Sequence, residues 1–277
     1  MGTNAANHGP SSPPDGVEWV ELKVTVGGPQ VDDALRAFHL DPDGPDAERR
    51  EIFFGERVNR PGDPVVLPLL ARGIILRVRK IRDGPDDSTL KLRGPEGSVD
   101  PKLWQERTRA FGDDAKIEGD WAADRRLISA SLDSAVEGGR IDAVVAERPH
   151  RPRRLLSGAQ EALAADLLLD LDGVELLDPV HARKWNGAGS LDAEVAAELW
   201  ELDDGLRFLE LSTRVRADAS PVAAKRRFEE SVRDRGLPID AKQETKTSTV
   251  LERLVEAAAR RPVGAVRARP GGPGGRR

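Results

Sequence analysis

The chain has no cysteine and only four histidines among its 277 residues. The first absence excludes disulfides, thiolate zinc sites and cysteine nucleophiles. The second leaves little for a histidine-built metal centre, so any metal must be held by carboxylates. No apolar run reaches the length of a membrane span, and MGTNAANHGPSSPPDG lacks the basic and hydrophobic regions of a signal peptide, so a cytoplasmic protein with no membrane partner is expected. A general basic field is missing too. The net charge is −5, which offers no overall attraction to nucleic acid, so any anion-binding surface must be local.

What is present begins with two biased ends. Residues 1–16 are rich in Pro, Ser, Asn and Gly, and 259–277 hold six arginines and no acid. Both read as disordered tails flanking one domain at 17–258. The basic tail is expected to make at most a weak contact with nucleic acid.

Between the tails, alternating or apolar segments predict strands at about 17–26, 50–56, 74–81, 88–93, 115–121, 125–132, 180–185, 194–202 and 206–215. Helices are expected at 31–40, 157–170 (with Ser157 as N-cap), 220–235 and 249–260. These nine candidate segments, read as about eight strands with many hairpin connections, imply an α+β protein whose antiparallel sheet closes, or nearly closes, on itself.

The strands carry charge on one face. Successive side chains of a strand point to opposite sides, so Glu21 and Lys23 share a face, as do Arg77 with Arg79 and Lys91 with Arg93, opposite Val20, Leu22, Leu76, Val78, Leu90 and Leu92. Lys116, Glu118 and Asp120 alternate with Ile117, and Phe208, Glu210, Ser212 and Arg214 alternate with leucines and Val215. If the sheet closes, these faces line a lumen. Burying so many charges is costly unless an anion and metal ions compensate them, so a charged ligand is expected. The bland alternative is a solvated sheet surface, with Glu118 and Asp120 paired to Lys116 or Arg125, and Glu198 and Glu210 paired to Arg183 or Arg214. Trp19, Trp121, Trp185 and Trp200 read as packing residues, and His181 as structural.

The order of segments VELKV, LLARGIILRVRK, STLKLR, KIEGDW, HARKW, LRFLELS and QETKTSTVLERL resembles the CYTH superfamily of triphosphate tunnel enzymes, over roughly residues 17–255. That family includes class IV adenylate cyclases, thiamine triphosphatases and inorganic triphosphatases. The resemblance implies an eight-stranded antiparallel tunnel with flanking helices, in which cations grip a triphosphate and carboxylates hold Mg²⁺ or Mn²⁺. Lys23, Arg77, Arg79, Lys91, Arg93, Arg183 and Lys246 then resemble the substrate-binding cations. Glu21, Asp120, Glu198 and Glu210 resemble metal ligands, and Glu21, Glu118 and Glu210 resemble the catalytic acids. The implied partner is a small-molecule triphosphate or polyphosphate, and the implied activity is metal-dependent hydrolysis.

The departures fall on the acids. Trp19 stands where the family's ExExK motif has its first glutamate, Ser212 and Trp200 replace further acids, and FFGERVNRPG lacks the usual Asp-Thr. Glu18 would replace the lost acid if a bulge shifted the register. The alternative to a hydrolase is therefore a polyphosphate- or nucleotide-binding protein that kept the grip and lost part of the metal site. A cyclase is the third reading.

Overall fold

Most long strands turn a mainly apolar side outward. In β1 (Trp19–Gly27), Val20, Leu22, Val24 and Val26 are buried, while the polar residues between them are less so. β3 (Ile74–Ile81), β4 (Asp86–Pro95), β5 (Ala115–Ala122), β6 (Arg125–Val136), β8 (Val180–Trp185), β9 (Val195–Glu201) and β10 (Arg207–Arg216) follow this less strictly, β2 (Glu48–Glu56) is buried on both sides from Ile52 to Glu56, and a two-residue strand, β7 (Glu175–Leu176), lies between β6 and β8. The computed structural model describes residues 13–59, 62–109, 111, 115–147, 151–187, 195–239 and 246–260. Most of both expected tails, and residues 243–245 of QETKT, lie outside these.

The strands hydrogen-bond in the order β3-β4-β6-β5-β1-β10-β9-β8-β2, and β2 pairs back onto β3, so nine strands close a barrel with β7 attached to β2. The eight-stranded antiparallel expectation is therefore corrected in two respects. The barrel has nine strands, and it is mixed, because β1 and β5 run parallel, with Glu21 opposite Asp120 and Lys23 opposite Ala122. Alternation determines which face a side chain takes but not the direction of a strand's neighbour. The β1–β10 register runs unbroken from Trp19↔Arg216 to Gly27↔Phe208. No bulge brings Glu18 inward, and Trp19 keeps the inner position.

Helices cover the apolar outer faces. One core unites β1, β9 and β10 with α1 (Gln30–Ala37) and α6 (Pro221–Arg233), through Val31, Leu35, Phe38, Phe228 and Val232. A second joins β3, β4 and β6 to α2 (Pro68–Ala71), α3 (Pro101–Thr108) and α5 (Gly158–Asp166), around Leu76, Leu90, Trp104, Ile128 and Leu163. α4 (Arg140–Ala146) packs on Phe53 and Val78. Burial of a single Leu or Phe contributes on the order of 2 kcal/mol, so these faces supply most of the driving force for closure.

Two polar devices fasten the wrapping. Ser157 caps α5 in a reciprocal capping box with Gln160, as its position predicted, and the buried Gln160 amide donates to the Ser88 and Leu132 carbonyls, tying α5 to β4 and β6. The fully buried Glu56 carboxylate accepts from the backbone N–H groups of Leu69 and Leu70 and so holds the start of α2.

α7 (Lys246–Ala259) is placed differently. Its Val250, Leu251, Leu254 and Val255 pack against Ile52, Phe54, Ile75, Val180, Ala182 and Trp200. Phe54, Ile75 and Trp200 face the barrel interior, so α7 covers one end of it. No helix among the described residues is long and apolar enough to cross a membrane.

Candidate functional site

The polar faces of the nine strands enclose a cavity of about 1560 Å³. It narrows towards α7 into a pocket of about 80 Å³ that shares Lys23, Arg77, Thr89, Lys91, Glu198 and Glu210 with the wider part. At the other end the wide part is bounded by α6, through Arg227, Phe228 and Ser231, by Arg235 just past its end, and by Trp19 at the rim.

Six of the seven sequence-predicted cations reach this space or its wall. Lys23 Nζ lies 2.8 Å from Glu21 Oε2 and 3.2 Å from Asp120 Oδ2. Arg93 Nη2 lies 3.0 Å from the same Asp120 oxygen, and Lys91 Nζ 3.9 Å. Asp120 is buried, which alone would raise its pKa. Lys23, Arg93 and Lys91 outweigh that and hold the carboxyl far below the usual range. Conversely, burial opposes the charge on Lys23, but Asp120, Glu21 and Glu210 keep its pKa raised.

Lys91 and Arg77 are less well compensated. Burial and the charge of Lys23 lower the Lys91 pKa, with Asp120 only partly offsetting them. Burial and neighbouring Arg79 lower that of Arg77, which remains charged because guanidinium does not deprotonate in proteins. Its Nη2 donates to Thr89 Oγ1 at 3.1 Å, and Thr89 donates on to Asp133 at 2.8 Å. Arg79 is held by Asp87 through two nitrogens, at 2.7 and 2.8 Å. These buried, under-neutralised cations favour a bound anion.

Lys246 arrives from the first turn of α7. Its Nζ lies 3.2 Å from Glu198 Oε2, 3.0 Å from Glu210 Oε1 and 4.0 Å from the Trp200 ring centroid. Burial would raise the Glu198 pKa, but Lys246, Arg50 and Arg77 bring it to about 2.

Arg183, the seventh cation, points away. Its Nε donates to the Pro42 carbonyl at 3.0 Å and its Nη1 to Glu201 at 2.8 Å, on the outer face, where His181 also lies near Asp203. The inward charged residue of β8 is Lys184, opposite Glu198 in register. Sequence reasoning missed Lys184 and Arg50, the latter 3.5 Å from Glu198. Arg50, Ile52 and Phe54 do alternate within REIFFGE, and that spacing was the signal for Arg50. The arginines of α6 had no such signal.

The carboxylates are dispersed among cations. Among the described residues, no group of three or more acidic or histidine side chains is placed to hold a metal ion. Asp120, Glu198 and Glu210 are each held by lysine or arginine. Glu21 and Glu118 form the remaining acidic pair. Glu118 accepts from Arg214 Nη2 at 2.8 Å, yet burial and the charge of Glu21 raise its pKa. Burial would raise the Glu21 pKa too, but Lys23, 2.8 Å away, outweighs it and lowers the pKa, so only Glu118 is short of positive charge; together the two offer hard oxygen ligands to one dication completed by phosphate oxygens. The Glu198–Glu210 pair is bridged by the Lys246 ammonium.

No protein-family model matches this chain, and no curated protein matches it. Solved structures do. A Bacillus halodurans protein described as a candidate adenylate cyclase aligns over 84% of this chain and 96% of its own, with a TM-score of 0.53 and 12% identity. HpAC1 from Hippeastrum, an adenylyl cyclase candidate described as having a dominant triphosphatase activity, aligns over 84% of this chain and 94% of its own, with a TM-score of 0.53 and 14% identity. At these identities the likeness is one of fold.

Proposed function

We propose that the barrel binds the triphosphate group of a small molecule and hydrolyses it with one Mg²⁺ or Mn²⁺, as a cytoplasmic member of the triphosphate tunnel class. One observation carries this reading: Lys23, Arg77, Lys91, Arg93 and Lys246 converge from four elements on one pocket, and Arg77 and Lys91 lack full compensation there. The likeness in fold to HpAC1, described as a triphosphatase, supports the choice of reaction.

In this scheme Lys23, Arg77, Arg79, Lys91 and Arg93 neutralise the phosphate oxygens and fix the chain, which is most of what phosphoryl transfer asks of a protein. Glu21 and Glu118 would hold the dication, which supplies charge neutralisation at the terminal phosphoryl group. A water oxygen attacks the terminal phosphorus, the anhydride P–O bond breaks, and its electron pair leaves on the bridging oxygen. Glu118, on the cavity face, accepts the proton of the water. We assign Asp120, Glu198 and Glu210 to positioning the lysines and arginines.

A second reading, binding without turnover, draws on the dispersal of the acids and on Trp19 at the inner rim position. Phosphate release from tripolyphosphate and ATP, scanned over Mg²⁺ and Mn²⁺ beside a calorimetric titration, separates the two. Under the first reading, Glu118→Gln abolishes release and spares binding, while Lys91→Ala and Arg77→Ala weaken binding about tenfold or more. Parent protein that binds without releasing phosphate establishes the second. Parent-like binding by Lys91→Ala and Arg77→Ala would sink both.

A further inference from the structure

We propose that Lys246 is a tethered substitute for a divalent cation, its ammonium filling a two-carboxylate seat at the α7 end of the barrel. Glu198 and Glu210 are direct partners in the β9–β10 register and face the same cavity. Two opposed carboxylates of this kind are a ready seat for a hard cation. Its occupant is Lys246 Nζ, at 3.2 and 3.0 Å from the two acids.

The surroundings hold the ammonium there. Lys246 is only 7% exposed and lies over the Trp200 ring, which favours a desolvated cation. One turn further along, Val250 and Leu251 lock α7 into the apolar end of the barrel, so the backbone cannot carry the ammonium away without unpacking the helix. Arg50, 3.5 Å from Glu198, adds a further positive charge beside the seat. A free dication would have to displace a charge that is covalently attached and already desolvated. The need for a divalent ion is thereby confined to the Glu21–Glu118 side, and phosphate at the α7 end is neutralised without one.

The seat is tested without phosphate. Mn²⁺ titration followed by electron paramagnetic resonance should show Lys246→Met binding one ion per chain more than the parent protein. Mn²⁺ should also raise the melting temperature of Lys246→Met more than that of the parent, and adding Glu210→Gln should abolish both gains. Lys246→Gln provides the same comparison if the methionine variant does not fold. A folded variant that binds no more Mn²⁺ than the parent overturns the proposal. The consequence for phosphate rests on the binding reading above and is measured separately. In chelator, Lys246→Met should bind tripolyphosphate about tenfold more weakly than the parent, with Mn²⁺ restoring the loss. Loss that Mn²⁺ does not restore makes Lys246 a plain phosphate contact. A parent protein that binds no tripolyphosphate refutes the binding reading, while the Mn²⁺ stoichiometry still decides the role of Lys246.

Discussion

Lys23 Nζ lies 3.2 Å from Asp120 Oδ2 across the seam between β1 and β5, which run parallel. In that register Glu21 stands opposite Asp120, and Lys23, two residues on, reaches both acids. The seam thus gathers two carboxylates and a lysine, to which β4 adds Lys91 and Arg93. With Glu118 beside Glu21, three cations meet three acids here, and the pairing is densest around Asp120. Breaking one of these buried pairs leaves an uncompensated charge inside the barrel, so stability and ligand chemistry draw on the same side chains.

The first prediction concerns acid. The Glu198 carboxyl is lowered from 4.5 to about 2, so its pairing stabilises the native state fully above pH 4.5, and that stabilisation is lost as pH falls towards 2. The drop corresponds to on the order of 3 kcal/mol. Asp120, also lowered, acts in the same direction, whereas the raised Glu118 acts in the opposite one, losing stability as pH rises above its unfolded value. Urea denaturation at a series of pH values should show Glu198→Gln less stable than the parent at neutral pH, with a flatter loss below pH 4.5. Parallel pH profiles for the two proteins would refute the pairing.

The second concerns a glycine that shapes the site. Gly73 has φ +72°, and a Cβ there would lie 2.2 Å from the Arg93 carbonyl oxygen, while its own carbonyl accepts from Arg93 N–H at 2.7 Å. Gly73→Ala should cost at least about 1–3 kcal/mol of stability and shift the end of β4 that carries Arg93, weakening tripolyphosphate binding as well. Gly97→Ala is the control: its φ is +90°, but nothing lies within 4 Å of the added carbon, so strain should appear without a binding defect. Calorimetry and thermal melts on both variants check this, and equal binding by the two would remove Gly73 from the account of the site.

Much of this was legible in advance because strand periodicity is a local property. Every barrel strand coincides with a predicted segment, and the inner faces of β1, β3, β4, β5 and β10 came out as read. The parallel β1–β5 seam depends on which strands meet, and alternation is silent on that. Helices α2, α3 and α4 are 4, 8 and 7 residues long, too short for a strong periodic signal. The ammonium between Glu198 and Glu210 was hidden for another reason: Lys246 lies some 36 to 48 residues further along the chain, and only the folding of α7 over the barrel end brings it there.

The last prediction turns on a difference of one residue. In β8, Arg183 is opposite Leu199 and Lys184 opposite Glu198, so with a period of two the first points outward and the second into the cavity. Arg183 is satisfied on the outer face by Glu201 and the Pro42 carbonyl. Lys184 instead has its pKa lowered by burial and by neighbouring Arg50, with Glu198 only partly offsetting them. An anion entering the cavity relieves Lys184 and never meets Arg183. Arg183→Ala should therefore leave tripolyphosphate affinity unchanged, with a stability loss of about 1 kcal/mol from the broken outer pair, while Lys184→Ala should weaken binding several-fold to about tenfold. A slip of β8 by one residue would exchange the two results, so titrating both variants tests the strand register and the cation set together.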